Sequence, residues 1–249
     1  MNGSARKASA ETGNVLQRLK ADFLTSLNDD FRTPVSGILG MTDLLLETGL
    51  TDEQREYLSA TRVCAEELLE LLSSAVQYTA LAAGAVTLED AEFNLPETLQ
   101  GAVEKELPKA RANAVRLLAR LEETLPTLAV GDAVRLEQVT RHLLRSAIEL
   151  TPEGEVELAA SARASAGDGF LLSVEVRDTG VVISPEQLAV IFQPFRPLEA
   201  GWARNHRGSE FSLALAERLV RLMRGEIAAH SEPGLGTRIR VQIPLRAAA

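Results

Sequence analysis

The sequence is poor in cysteine and contains no long apolar run. Cys64 is the single cysteine among 249 residues, so an internal disulfide is excluded, and this favours the reducing cytosol. No stretch approaches the roughly 18 apolar residues that a membrane-spanning helix needs. Residues 1–14 are polar and lack the apolar segment of a signal peptide. We therefore expect a soluble, cytoplasmic chain without direct membrane insertion.

The sequence also has fewer basic residues than acidic residues. The chain has 26 Lys and Arg against 35 Asp and Glu, a net charge of -9. Such a field opposes nonspecific attraction to nucleic acid and to anionic lipid, so we expect no nucleic-acid partner. Hydrophobic residues (45%) and charged residues (24%) have ordinary shares for a globular protein, which excludes a largely disordered or collagen-like chain.

Apolar residues recur three and four positions apart in the first third of the chain, which predicts two long helices. Pro34 predicts a kink near Asp30 in the first helix. The segment 48–51 predicts a stop and a capped start for the second helix, in which Cys64 is interpreted as a small core residue. Two antiparallel helices are too thin to bury both apolar stripes, so we expect a homodimer that forms a four-helix bundle.

The rest of the chain alternates between helical and strand patterns. Turn signals separate these segments, and the mixture predicts an α/β sandwich with helices on one face of a mainly antiparallel sheet. The predicted segments are helices near 96–109, 132–149 and 210–223, a short helix from Pro185, and strands at 114–121, 155–162, 170–178, 225–231 and 237–244.

The predicted fold class is therefore α+β, a dimeric helical hairpin followed by an α/β sandwich. We predict four parts: a flexible N-terminus at 1–14, the helical-hairpin dimerisation domain at 15–83, a linker at 84–92, and the α/β domain at 93–246.

Five short motifs follow one another in a recognisable order. They are Asn28–Pro34 with Gly37–Gly40, then His142–Ala147, Asp178–Gly180, Phe192–Phe195 and Gly208–Leu215. The first resembles the phosphoacceptor segment of sensor histidine kinases, and the others resemble the N, G1, F and G2 boxes of their ATP-binding domain. The resemblance covers about residues 20–245 and implies a dimerisation and histidine-phosphotransfer domain followed by a Bergerat-type ATPase domain.

The first motif departs from the family at its acceptor. Asp29 stands where the family has histidine, and a carboxylate lacks the neutral nucleophilic nitrogen of an imidazole. Asp30 keeps the acidic type of the neighbouring general base. We interpret both as solvated acidic residues of an exposed helix face that is also suited to contact with a partner.

The N box departs at its metal ligand. By the resemblance, an asparagine there coordinates Mg²⁺, and Ser146 with its shorter side chain occupies that position. His142 occupies the earlier asparagine position and is interpreted as a partly exposed helical residue rather than a ligand. Arg145 and Glu149 replace a small residue and a lysine, so we expect no effective metal site.

The two glycine-containing boxes are changed in part. The resemblance assigns Asp178 to the adenine amino group and Gly180 to close backbone approach, and both are retained along with Gly208. Val182 replaces a glycine with a β-branched residue that resists positive φ. Glycines of the G2 box are replaced by Glu210, which adds negative charge near the phosphates, and by Ser212.

The segment between Phe195 and Gly208 corresponds to the ATP lid. Trp202 in this segment has two interpretations, a partner contact of the kind found at hot spots or an apolar plug over an empty pocket, and the sequence leaves both open. Phe192 and Phe195 are interpreted as anchors of the lid in the core.

These departures together predict a chain that is not an enzyme, a catalytically inactive homologue with no cofactor and weak or absent ATP and Mg²⁺ binding. It would act in two-component signalling by binding a receiver domain or another histidine kinase, with Asp29, Asp30, Arg32 and Trp202 as contacts. The alternative is residual activity, either a weak nucleotide-binding ATPase or a receiver phosphatase. The sequence identifies neither the partner nor the signal.

Overall fold

A computed structural model of the chain describes residues 30–165, 168–194 and 209–248, the last segment with side chains from residue 211 onward. The chain divides into two compact units, Met1–Val86 and Thr87–Ala249. Across these described ranges, none of the helices combines the length and the apolar character that crossing a bilayer requires.

The first unit contains a helical hairpin. Helix α1 covers residues 30–46 of the described chain, and helix α2 runs Asp52–Ala82. A capping box starts α2: the Thr51 hydroxyl accepts a hydrogen bond from the Gln54 amide at 3.2 Å, and the Gln54 side chain accepts one from the Thr51 amide at 3.0 Å. This confirms the predicted helical region, whereas the kink predicted near Asp30 falls at the edge of the described residues.

Cys64 corrects one prediction, because its thiol is exposed on α2 instead of lying in the core. The buried position is Ala65, its neighbour. Successive residues of an α-helix are rotated by about 100°, so the turn that buries Ala65 carries the preceding side chain towards solvent.

The hairpin leaves much of its apolar surface uncovered. Val35 on α1 and Ala65 on α2 are buried, but larger side chains are not. The exposed large apolar residues of the two helices are Phe31, Ile38, Met41, Leu44, Leu45, Tyr57, Val63 and Leu68. An exposed apolar stripe of this kind is typical of a helix face that a partner covers.

The second unit is an α/β sandwich. Asn94 and Asp132 cap two of its helices by accepting hydrogen bonds from the amides of Glu97 and Arg135. In chain order its described elements are β1 Ala91–Asn94, α3 Leu95–Ala112, β2 Val115–Leu121, β3 Leu128–Gly131, α4 Ala133–Glu149, β4 Gly154–Ala164, β5 Gly169–Asp178, α5 Pro185–Leu188, α6 Ser209–Leu222, β6 Glu226–Glu232 and β7 Gly236–Ala247.

The strands form one sheet in the order β1-β3-β7-β5-β4-β2, with β6 also paired to β7. All pairs are antiparallel except β2 with β4. The register of β5 on β7 places Asp178 opposite Thr237. This register brings the end of β5 and the start of β7 to the same edge of the domain.

Helices α3, α4 and α6 pack on one face of the sheet and on one another. Fully buried aliphatic side chains fill the layer between them, including Leu99 on α3, Leu143 on α4, Leu172 on β5, Leu215 on α6 and Ile243 on β7. The opposite face is open and carries charged residues, because successive strand side chains alternate between the two faces. The predicted fold class, helical region followed by α/β sandwich, is confirmed.

Two short strands were missing from the prediction. β1 and β3 have four residues each, and they pair with each other antiparallel at one end of the sheet. Four residues are too few for the period-two pattern that predicts a strand, so only pairing in the fold defines β1 and β3.

Candidate functional site

Asp178 ends β5 with its carboxylate buried at the edge of the sheet. Its Oδ1 accepts hydrogen bonds from the backbone amides of Gly180 at 3.0 Å and Thr237 at 3.3 Å. Burial raises the pKa of this carboxyl to about 6, against the lowering effect of the two amides. Both hydrogen bonds that described residues donate to it reach Oδ1, which leaves Oδ2 as an acceptor for a donor brought by a ligand.

Gly180 lies against the C-terminal end of α4. A Cβ atom built on it would stand 2.1 Å from the Leu150 carbonyl oxygen, a distance that no real side chain can adopt. The Val181 amide donates to the same carbonyl at 3.1 Å. The backbone after Asp178 is therefore held close to α4, and residue 180 must lack a side chain.

Sequence reasoning missed the contribution of the turn before β7. Gly236 has φ of +76°, and a Cβ atom there would lie 1.9 Å from the Asp178 carbonyl oxygen. The next residue, Thr237, donates its amide to Asp178, and its hydroxyl lies 2.9 Å from the hydroxyl of Ser231. Ser231 Oγ in turn accepts the amide of Ile183 at 3.0 Å. The available signal was the Gly-Leu-Gly-Thr run at 234–237, which is typical of a tight turn that allows close backbone approach.

On α4, Ser146 is buried and its hydroxyl has no hydrogen-bond partner among the described residues. Glu149, one turn later, is also buried, and its Oε1 accepts a hydrogen bond from Lys109 of α3. Glu149 Oε2 has no hydrogen-bond partner among the described residues. Burial raises the pKa of Glu149, and the Lys109 ammonium opposes this rise.

Further charges cross between the same two helices. Glu106 on α3 is almost fully buried, and its carboxylate lies 2.9 Å from Arg141 Nε and 3.5 Å from Arg145 Nε. Burial raises the pKa of Glu106, although Arg141 opposes the rise. We call these five charged residues the α3–α4 charge network: Glu106, Lys109, Arg141, Arg145 and Glu149.

At the N box, Ser146 offers a single buried hydroxyl as an oxygen ligand. Mg²⁺ prefers several oxygen ligands in octahedral geometry and keeps several waters or phosphate oxygens among them. His142 is half-buried, and burial followed by the Arg141 charge lowers its pKa to about 4. Its imidazole is thus neutral at pH 7.

The residues that replace glycines in the G1 and G2 boxes differ in their exposure to solvent. Val182 is 46% exposed, and its backbone does not require positive φ, since the described non-glycine residues with positive φ are Ala114 and Arg224. Ser212 is buried in α6, and Phe192 is half-buried before the lid. The predicted site residues Trp202 and Gly208 and the anchor Phe195 lie outside the described residues. Glu210 is described only as part of the α6 backbone.

The acceptor motif falls at the start of the described part of α1. Asp30, Arg32 and Thr33 are all exposed on this helix, and Asp29 lies outside the described residues. Residues three apart on a helix are neighbours on its surface, so Asp30 and Thr33 present a carboxylate and a hydroxyl on one side of α1.

Comparison with known domain families gives two matches in sequence order. Residues 19–84 match the His Kinase A (phospho-acceptor) domain. Residues 131–247 match the histidine kinase-, DNA gyrase B-, and HSP90-like ATPase family. The two matches fall on the helical hairpin and on the α/β unit.

Named relatives share nearly a third of the residues of this chain. The signal transduction histidine-protein kinase BarA of Escherichia coli K12 is 31% identical over 220 residues, covering 88% of this chain and 24% of that protein. The sensor histidine kinase GacS of Pseudomonas protegens is 31% identical over 241 residues, covering 97% of this chain and 26% of that protein. The chain thus spans about a quarter of the length of these relatives.

Solved structures of histidine kinases share the fold. Full-length ShkA in complex with AMPPNP has 32% identity and a TM-score of 0.71, covering 92% of this chain and 46% of that one. The Acinetobacter baumannii histidine kinase AdeS has 18% identity and a TM-score of 0.58, covering 86% of this chain and 96% of that one, a likeness of fold alone.

These comparisons contradict the prediction that the chain is not an enzyme. The relatives are named as histidine kinases, and one of the two matching families is an ATPase family. The side-chain replacements in the short motifs leave the scaffold intact, and nothing in the described fold demonstrates a loss of catalysis.

A phosphoacceptor-type helical hairpin precedes a Bergerat ATPase sandwich here, in the order and with the sequence similarity that sensor kinases show. By its two domains and its relatives, this chain belongs to the sensor histidine kinase family of two-component signalling.

Proposed function

We propose that this chain is a two-component signalling protein whose α/β unit binds an adenine nucleotide at Asp178. Its helical hairpin forms a homodimer and docks a receiver domain. The relation to ShkA, whose structure contains AMPPNP, supports nucleotide binding. A cytoplasmic location stays a prediction from the sequence.

The observation that carries the nucleotide proposal is the orientation of the Asp178 carboxylate. Two backbone amides fix Oδ1, so the ring edge of an adenine can donate its amino group to Oδ2. The absence of a side chain at residue 180 lets the backbone after Asp178 pack against the Leu150 carbonyl, which holds this edge of the site in place. A ligand without an amino group at this position would leave the buried acceptor unpaired, which is costly in free energy. The carboxylate therefore contributes specificity for adenine.

Magnesium is expected to add little to this binding. Ser146 offers one hydroxyl at the position of the family's asparagine ligand, and Glu149 is engaged by Lys109. Nucleotide recognition then depends mainly on the base, and we expect weak affinity with similar values in the presence and absence of Mg²⁺.

Titration with a fluorescent adenine nucleotide at pH 7.5, with and without Mg²⁺, tests the proposal. We expect Asp178→Asn to weaken binding by about 10- to 100-fold, because a hydrogen bond to a charged group contributes about 1.5–3 kcal/mol. Asp168→Asn is the matched control, since Asp168 is exposed just before the far end of β5. Absence of wild-type binding at millimolar nucleotide, or equal affinities for the two variants, would contradict the proposal.

Partner binding is supported by the uncovered surface of the hairpin. Its exposed apolar side chains favour a second copy of the chain, and the His Kinase A family match supports dimerisation and two-component partners in general. Asp30 and Arg32 are exposed on α1 beside this stripe and are suited to contact a receiver domain. Asp29 and Trp202 stay predicted contacts, and another histidine kinase is the alternative partner.

Calorimetric titration with a panel of receiver domains, and separately with histidine kinases of the same cell, tests the docking surface. Arg32→Glu should weaken receiver binding at least about fivefold, because an opposed charge at an interface is unfavourable. Arg163→Glu, an equal charge reversal at an exposed position of β4, should leave the affinity unchanged. Binding of a kinase alone identifies the alternative partner, and equal effects of both variants would rule out the α1 surface.

A receiver phosphatase is the second candidate function. Asp30 and Thr33 lie one turn apart and exposed on α1, where a carboxylate and a hydroxyl can together orient a water molecule. Loss of receiver phosphate should accelerate on addition of the protein and slow with Asp30→Asn. An unchanged rate on addition of the wild-type chain would exclude this function.

A further inference from the structure

Two arginines and a histidine stand side by side on the open face of the sheet. The strand registers place Arg177 of β5 directly opposite Arg238 of β7, and Arg238 opposite His230 of β6. The three residues therefore form one row across three neighbouring strands. Like charges directly opposite each other destabilise a sheet, so this row has an energetic cost in the free protein.

The carboxylates near this row do not balance its charge. Arg177 contacts Glu175 at 2.6 Å, and Arg240 contacts the same carboxylate at 2.6 Å. Although burial opposes ionisation, the two guanidinium groups lower the pKa of Glu175, which is therefore charged. Arg177 and Arg240 thus share one glutamate.

Arg238 differs from its neighbours in the row. Within the described ranges, no carboxylate lies within salt-bridge distance of its guanidinium, whereas the imidazole of His230 is 2.6 Å from Glu232. The Arg238 guanidinium is therefore a local positive charge without a neighbouring carboxylate, in a chain whose net charge is -9.

A cavity of about 220 Å³ lies at this row, lined by its three basic residues together with Glu232, Leu235 and the start of β7. Cavities for drug-sized ligands measure about 300–1,000 Å³. The smaller volume suits an ion or a single functional group, and the lining includes guanidinium and imidazole groups that can donate N–H hydrogen bonds.

We propose that this cavity binds a phosphate-class oxyanion. Guanidinium groups match the oxygens of phosphate with paired, charge-assisted hydrogen bonds, and a bound dianion would remove the repulsion within the row. Arg238 is the primary ligand, with Arg177 and His230 as flanking donors. The anion comes either free from solution or as a phosphorylated side chain of a partner protein.

The cavity reaches Gly236 and Thr237 at the edge of the proposed nucleotide site, but its basic side chains lie on the opposite face of the sheet from the Asp178 carboxylate. Strand side chains alternate between the faces of the sheet, so Arg177 and Arg238 face outward while the neighbouring Asp178 and Thr237 are buried on the inner side. The inference therefore does not depend on nucleotide binding, and each can fail without the other.

Calorimetric titration of the whole chain with inorganic phosphate, and in a second arm with a phosphoserine peptide, tests the site. We expect dissociation constants at or below the millimolar range and at least a tenfold loss for Arg238→Gln, since about 1.4 kcal/mol corresponds to tenfold. Arg116→Gln is the matched control, because Arg116 also points outward but pairs with Glu155 on the next strand. The control should retain the wild-type affinity.

The two arms distinguish the sources of the anion. Tighter binding of the phosphopeptide than of its unphosphorylated form and of phosphate assigns the site to a partner protein, and similar affinities for phosphate and phosphopeptide assign it to the free ion. No binding in either arm up to about 10 mM, or equal affinity of Arg238→Gln and the wild type, overturns the proposal. Circular dichroism of Arg238→Gln and Arg116→Gln establishes that both variants are folded.

Discussion

At the scale of single residues, Asp178 is the side chain on which the proposed nucleotide binding depends. Its carboxylate receives amides from residues 2 and 59 positions further along the chain. It is buried, and burial shifts its pKa to about 6, into the range where cells and assays operate. Protonation of the Asp178 carboxylate therefore changes which hydrogen bonds the site can form with a ligand.

The pKa of Asp178 predicts how nucleotide affinity depends on pH. An ionised carboxylate accepts the adenine amino group and a protonated one does so poorly, so affinity should rise as the pH increases from 5 to 7, with a midpoint near about 6. For stability the sign is opposite: a carboxyl with a raised pKa favours folding below its unfolded value of 3.8 and loses that contribution as the pH rises through about 6. Nucleotide titrations at several pH values measure the first effect, and a flat profile would contradict the assignment.

Gly180 gives a second prediction at this scale. Gly180→Ala places a methyl group 2.1 Å from the Leu150 carbonyl oxygen, so the loop must move, and we expect a loss of unfolding free energy of about 1–3 kcal/mol with reduced nucleotide affinity. Gly101→Ala is the matched control, because nothing lies within 4 Å of its Cβ position in α3. In an open helical site alanine is favoured by up to about 1 kcal/mol. Urea denaturation compares the two, and equal stabilities would show that the close contact is relieved at no cost.

At the scale of elements, the α3–α4 charge network determines how two helices pack. Breaking a buried pair from one side leaves an uncompensated charge, so Lys109→Met should destabilise the domain by about 3 kcal/mol because the Glu149 side chain is only 5% exposed. The double variant Lys109→Met with Glu149→Leu should recover most of that loss.

Another ion pair between the same helices supplies the control for this prediction. Lys105 on α3 contacts Glu137 on α4 at 2.6 Å, but its side chain is 54% exposed. Exposed pairs contribute about 0–1 kcal/mol, so Lys105→Met should have a small effect in the same thermal or urea unfolding experiment. Similar losses for the two lysine variants would mean that burial of Glu149 does not set the strength of its pair.

Long helices and strands could be predicted from the sequence, whereas short strands that are defined by their pairing could not. Long periodic segments such as α4 and β5 were predicted from sequence to within a few residues. β1 and β3 were missed because their strand character comes from pairing and not from pattern. In the site, Asp178 and Gly180 were predicted by resemblance, whereas Thr237 was not, because its contact joins positions 59 apart.

At the scale of the whole molecule, the uncovered stripe of the hairpin predicts self-association. Met41 is 67% exposed in the single chain, and burying it between two copies would contribute about 1.5–3 kcal/mol. Met41→Glu should therefore shift the protein from dimer to monomer in light scattering at micromolar concentration. Thr48→Glu, which adds the same charge just beyond the end of α1, should remain dimeric; a monomeric wild type would contradict the prediction.

The position of β7 within the sheet has a consequence for biosynthesis. This strand pairs with β3, β5 and β6, yet it is the last element of the described chain. The ribosome therefore synthesises the other six strands of the sheet before β7 can pair with its neighbours, and the Asp178 carboxylate gains the Thr237 amide only then. Nascent chains that stall before residue 236 would expose unpaired strand edges, so they are the species on which chaperones should act.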